Sequence, residues 1–119
     1  MLLTFCKSKI NRATVTQTEL NYDGSITIDA ALMAAANFLP YERVQVLNLN
    51  NGERLETYVL VGEAGSGVIC LNGPAARCGE VGDPVTIIAY FQGDEAEGRA
   101  WKPIVVQVDK DNRLVKKNG

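Results

Sequence analysis

Tyr22-Asp23-Gly24-Ser25, together with Arg54-Leu55-Glu56-Thr57-Tyr58 and Asn72-Gly73, holds the groups in this chain best suited to chemistry. A serine hydroxyl can attack the carbonyl of the residue before it, exchanging an amide for an ester. Glycine in that preceding position leaves the carbonyl open and tolerates strained dihedrals. β-Elimination of the ester frees a chain ending at Gly24 and leaves dehydroalanine at position 25. Hydrolysis turns that residue into a pyruvoyl group with a reactive ketone. A Gly-Ser dipeptide alone is a common turn and carries little weight. The constellation around it is what points to self-cleavage between Gly24 and Ser25.

Other chemistries are narrowed by what the chain lacks. It has no histidine, which removes Ser-His-Asp and Cys-His catalysis, His-ligated zinc and an imidazole base. Cys6, Cys70 and Cys78 are odd in number and not spaced as CxxC, so each reads as a small buried hydrophobe and no metal site is expected. With 119 residues and 46% hydrophobic content, the chain makes one domain, 1–119, with a core of its own. No apolar run is long enough to span a bilayer, and the N-terminus lacks the layout of a signal peptide. A formal charge of -2 and a pI near 5.1 argue against a nucleic-acid partner. The expectation is a soluble cytoplasmic protein with neither a nucleic-acid nor a membrane partner.

The elements that must position these residues are mostly strands. Residues 12–17 and 25–28 are short β-branched runs separated by the turn signal Asn21-Tyr22-Asp23-Gly24. Residues 43–49 alternate at period two, and Asn50-Asn51-Gly52 turns them into a strand over 53–61. Further strands are predicted over 68–71, 85–91 and 104–108. Asp29 caps a predicted helix over 30–38 that Pro40 closes, and a second short helix follows Gly73-Pro74. Short strands without repeats or linkers imply one small β-barrel. The polar tail, 109–119, is expected to fray.

At this point the residues resemble those of the pyruvoyl-dependent aspartate 1-decarboxylases. The resemblance runs from Lys9 through Tyr22-Asp23-Gly24-Ser25, residues 51–58, residues 72–77 and Gly82-Asp83. It thins only in the tail. It implies a mainly β fold, a small six-stranded double-psi β-barrel with short helices, assembled as a homotetramer. It also implies self-cleavage into residues 1–24 and 25–119, and conversion of L-aspartate to β-alanine and carbon dioxide for pantothenate synthesis. The cofactor would be the pyruvoyl group made from Ser25, with no metal. Its ketone would form a Schiff base with the substrate amine and act as the electron sink for decarboxylation.

Roles follow residue by residue from the resemblance. Arg54 would clamp a substrate carboxylate, since guanidinium binds carboxylate bidentately; without the resemblance it is a solvated arginine beside a turn. Tyr58 would return the proton after decarboxylation; its plain alternative is a half-buried strand tyrosine. At period two Arg54, Glu56 and Tyr58 share a face, which puts Thr57 on the other. The role of Thr57, bonding the carbonyl before the serine and binding substrate, therefore implies a local bend or a contact from another subunit. Asn72 and the Gly73-Pro74-Ala75 backbone would orient the substrate and hold the ketone. Lys9 and Tyr22 would line the pocket. Leu47 and Thr86 depart from an aromatic and a larger aliphatic residue in several relatives, and Pro74 replaces a frequent alanine. An uncleaved barrel serving as a binding or assembly module is the alternative, and a maturation factor is a further partner to consider.

Overall fold

A computed structural model describes residues 1–118 of the chain. Nine strands and two short helices follow one another as β1 (Leu3–Thr14), β2 (Gln17–Glu19), β3 (Ser25–Asp29), α1 (Ala30–Ala36), β4 (Arg43–Asn48), β5 (Arg54–Gly62), β6 (Ile69–Asn72), β7 (Pro84–Gly93), α2 (Glu95–Ala100), β8 (Ile104–Val108) and β9 (Leu114–Asn118). A 3-10 turn over Gly73–Arg77 joins β6 to β7, where a short helix was expected after Gly73-Pro74. The strands form one mainly β sheet in the order β2-β6-β3-β5-β4-β7-β1-β8-β9. That order has nine members and two free ends, which differs from a closed barrel of six.

The alternation in β4 buries Val44, Val46 and Asn48, and that in β7 buries Val85, Ile87 and Ala89. Ile10, Ile26, Ile28, Val59, Ile69, Leu71 and Val106 complete the same core, and α1 covers it with Leu32, Met33 and Ala36. Burying each of the valine, leucine, isoleucine and methionine side chains contributes about 1.5–3 kcal/mol. The sheet curls around this core because β1 and β2 are nearly one stretch of chain with different partners. β1 pairs with β7 and β8, whereas β2 pairs with β6. Between them Val15 exchanges backbone hydrogen bonds with Asp83 and Gly82, and Thr16 donates to Ile69.

Two boundaries differ from the sequence expectation for identifiable reasons. The first strand spans Leu3–Thr14 rather than residues 12–17, since register shifts at Cys6/Ser8 and Ile10/Ala13, with Arg12 at φ 56°, break the period-two pattern. Helix α1 stops at Ala36 because Asn37 takes the left-handed conformation and returns its N–H to Ala34 and Met33. The tail does not fray as expected. Its residues 114–118 pair with β8, and buried Asn112 bonds Thr14 and Gly67 on both edges of its amide. Gly119 lies outside the described residues.

Asp29 holds the β3–α1 corner in place. Its buried carboxylate accepts N–H bonds from Ala31, Gly65 and Gly67 at 2.8, 3.0 and 2.8 Å. Burial pushes the carboxyl up, but these donors and the charge of Arg113 outweigh it and hold it below its usual range. The stability this contributes is present above the ordinary carboxylate pKa and is lost as pH falls through the lower folded value. Asp29→Ala removes the cap and strands a buried N–H, so it should cost about 2–4 kcal/mol at pH 7. Urea unfolding along a series down to pH about 2 should show that the variant loses less stability on acidification than the parent. Equal slopes would show that Asp29 is not the group responsible.

Candidate active site

Ser25 begins β3 directly opposite Asn72, the last residue of β6. Both are buried, at 0% and 3% exposure, so their polar groups must satisfy one another. Asn72 Nδ2 donates to Ser25 Oγ at 3.0 Å and to Thr27 Oγ1 at 3.0 Å, and the Ser25 hydroxyl donates to the Asp23 carbonyl at 3.0 Å. Asn72 Oδ1 accepts the Cys70 thiol at 3.2 Å. Burial pushes that thiol up from its ordinary pKa, with the charge of Glu19 adding to the effect.

Space, rather than strain at Gly24, sets the glycine requirement here. Gly24 shows no positive φ, and a Cβ on it would lie 3.3 Å from Pro74 Cδ. Gly73 is the residue that must be glycine. Its φ is +61°, and a Cβ there would stand 2.5 Å from the Tyr22 carbonyl oxygen and 2.8 Å from Gly24 N. The backbone of the 3-10 turn thus presses directly on the Tyr22–Gly24 segment.

A groove of about 340 Å³ opens beside this junction, lined by Gly24, Leu55, Glu56, Thr57, Tyr58, Pro74, Ala75 and Cys78. Its wall arises from the way β5 changes partners. Residues 54–58 pair with β4, and residues 59–62 pair in parallel with β3, starting at Ile26 opposite Val59. Continuing that register past its last pair puts Ser25 beside Tyr58 and Gly24 beside Thr57. The unpaired edge of β5 faces the groove, so consecutive residues line it. This is how Thr57 and Tyr58 reach one space despite opposite faces.

Tyr22, Lys9 and Arg54 are not among the residues lining that groove. Tyr22 is 58% exposed and borders a second cavity of about 280 Å³, with Gln17, Glu19, Thr27, Val68, Cys70 and Asn72. Lys9, on β1, stands opposite Ile88 and Val105. Arg54 stands opposite Leu47, donates from Nη1 to Gln45 Oε1 at 3.2 Å, and lies four strand residues, about 13 Å, from Tyr58. The pairs Glu56–Gln45, Gln45–Ile88 and Ile88–Lys9 run across the sheet, so Lys9, Arg54 and Tyr58 share its outer face. Three larger cavities, of about 440, 460 and 580 Å³, are lined by none of the predicted residues. Asp83, from the Gly82-Asp83 motif, instead ties its loop to the hairpin. Hydrogen bonds from Asn48, the Glu80 backbone and Asn50 hold its carboxyl below the usual range.

Thr27 and Cys70 were missed among the site residues. Period two could have found them, since Thr27 follows Ser25 by two and Cys70 precedes Asn72 by two. The residues present fit a group made from residue 25, which is buried, hydrogen-bonded through Asn72 and adjacent to a groove. Among the described residues no cluster of three or more Cys, Asp or Glu is placed to hold a metal ion, and no helix is long and apolar enough to cross a membrane.

The aspartate decarboxylase family pattern matches residues 1–115. A protein of Clostridium novyi named aspartate 1-decarboxylase is 59% identical over 116 residues, covering 98% of this chain and 94% of its own. Its namesake in Pelotomaculum thermopropionicum is 60% identical over 115 residues, 97% of this chain and 87% of its own. A third, from Cytophaga hutchinsonii, is 56% identical over 115 residues, 97% of this chain and all of its own.

Proposed function

The chain belongs to the aspartate decarboxylase family, and we propose that it decarboxylates L-aspartate to β-alanine and carbon dioxide for pantothenate synthesis. The observation that carries the reading is the placement of Gly24–Ser25 between the Asn72 amide and the groove of Thr57, Tyr58, Pro74 and Ala75. An uncleaved, non-enzymatic module is not favoured, because the relatives match nearly the whole chain and carry an enzyme's name.

In maturation, Ser25 Oγ forms a bond to the Gly24 carbonyl carbon, the Gly24–Ser25 C–N bond breaks, and the hydroxyl proton ends on the freed nitrogen. Thr57, beside Gly24 in the extended register, is the donor to the Gly24 oxygen as charge builds there. Loss of the Ser25 Cα proton and cleavage of its Cβ–O bond then release residues 1–24 with a free carboxylate. Water enters and ammonia leaves at residue 25, completing the α chain, 25–119. The resulting pyruvoyl ketone supplies an electrophile for the substrate amine and a sink for the electron pair released with carbon dioxide.

The substrate lies in the groove against Pro74 and Ala75, with the Gly73 backbone and the Asn72 amide orienting residue 25 from the other side and Tyr58 as the acid that protonates the α-carbon. Arg54 and Lys9, on the outer sheet face, complete a site in a neighbouring copy as carboxylate clamp and pocket cation, and Tyr22 forms a wall. The homotetramer itself is what the family resemblance implies, and a site shared between copies is compatible with it. The curl of β1–β2 from β7 and β8 to β6 supports the double-psi barrel as the underlying fold. We place the enzyme in the cytoplasm, with no nucleic-acid or membrane partner and with maturation open to an assisting protein.

If Arg54 clamps a carboxylate, aspartate is turned over and asparagine and alanine are not. Arg54→Lys keeps the charge but loses the planar fork, and should lower kcat/KM by about tenfold to a hundredfold, the worth of one charge-assisted hydrogen bond. A β-alanine assay on the cleaved variant checks this. Near-parent turnover would take Arg54 out of the site, and conversion of none of the three amino acids would remove the decarboxylase reading.

A further inference from the structure

We propose that Cys70 and Thr27 are positioning residues for self-cleavage, holding the Asn72 amide with its N–H₂ edge on Ser25 and so fixing the attacking hydroxyl. This rests on Gly24–Ser25 being the cleavage site. Ser25 pairs with Asn72 and Thr27 pairs with Cys70 as alternate rungs of the β3–β6 ladder, with the Ile26–Leu71 pair between them. Four hydrogen-bonding side chains therefore form a square on one face of these two strands.

Each atom of the square has one part to play. The Ser25 hydroxyl gives its proton to the Asp23 carbonyl, so Oγ needs a donor, and Asn72 Nδ2 provides it at 3.0 Å. The second N–H of Asn72 goes to Thr27 Oγ1 at 3.0 Å, and Oδ1 takes the Cys70 S–H at 3.2 Å. Only this orientation of the amide uses the thiol as a donor. Turned over, the amide would set its carbonyl oxygen against Ser25, draw the hydroxyl proton away from Asp23 and withdraw the donor at Oγ.

Thr27, Cys70 and Asn72 border the 280 Å³ cavity, and Asn72 itself is 3% exposed. The two ends of a planar amide have nearly the same shape, so the hydrogen bonds to Ser25, Thr27 and Cys70 decide which end faces which partner. Burial keeps the Cys70 thiol protonated and therefore a donor.

The test follows cleavage by intact mass over time in the full chain and in Cys70→Ala, Cys70→Ser, Thr27→Val and Thr27→Ser, with thermal unfolding recorded for each. Cys70→Ala and Thr27→Val should cleave roughly tenfold more slowly than the parent, while Cys70→Ser and Thr27→Ser stay within about threefold, because the first puts a hydroxyl donor where the thiol stood and the second keeps the hydroxyl acceptor. A merely structural role would not separate Ser from Ala at position 70 when both variants are folded. Should Cys70→Ala not fold, the Thr27 pair decides the matter alone. Equal cleavage of parent, Cys70→Ala and Thr27→Val, including full cleavage of all on isolation, overturns the proposal. So does a Cys70→Ser variant as slow as Cys70→Ala. A parent that never cleaves removes the maturation reading itself, and this inference with it.

Discussion

Ser25→Ala should give a folded, uncleaved chain with no detectable decarboxylase activity. The substitution removes the only atom that attacks the Gly24 carbonyl, and with it the source of the ketone. It should not unfold the protein. The lost hydroxyl makes two hydrogen bonds, to Asn72 and Asp23, each contributing about 0.5–1.5 kcal/mol. Asn72 keeps Thr27 and Cys70 as partners, and Ile26 and Ile28 still anchor β3 in the core. Denaturing mass spectrometry, circular dichroism and a β-alanine assay on one preparation read all three outcomes. A Ser25→Ala protein that still splits at this bond would move the nucleophile elsewhere.

Tyr58→Phe should separate the two tasks of the site. Proton return to the α-carbon belongs to turnover, whereas the acyl shift at Gly24–Ser25 does not use the phenol. The ring stays packed, because its tilted contact with Tyr41 at 6.3 Å needs no hydroxyl. The variant should mature into two chains and retain substrate when treated with borohydride and aspartate. Its production of β-alanine should fall by on the order of a hundredfold or more, as expected for loss of a positioned proton donor. Mass spectrometry of the trapped 25–119 chain beside the β-alanine assay makes the distinction. Full production would assign the proton to another group, and failure to cleave would mean that Tyr58 shapes the precursor.

Local signals account for what was legible in the sequence. Period two in 43–49, the Asn50-Asn51-Gly52 turn and the strand after it describe β4 and β5 to within a residue or two. Asp29 caps α1 as its type suggested, and Gly73-Pro74 opens a 3-10 turn. Helix α2 was missed although its capping box, Asp94 with Glu97, stands in the sequence; the helix is six residues long and buries none of them, so it has no apolar stripe. Bulges hid the length of β1 by resetting its face at Ser8 and again near Arg12. The tail looked polar because all of β9 is exposed, yet its backbone pairs with β8.

The site divides along the same line. Ser25, Asn72 and Gly73 meet through adjacent register, and Thr57 with Tyr58 meets Gly24 because β5 leaves β4 for β3 at Val59. That change of partner is a long-range property that spacing along the chain does not encode. Lys9 and Arg54 were grouped with the serine by resemblance, and within one copy they occupy the outer sheet face. Tyr22 borders the cavity on the Asn72 side, away from the groove.

Self-cleavage is tested most directly by the intact mass of the purified protein under denaturing conditions. The account predicts two unequal chains that meet at position 25, the larger lighter by the mass of ammonia than one beginning with serine. A single uncleaved chain, a break at another bond, or a 25–119 chain that begins with an ordinary serine would contradict it.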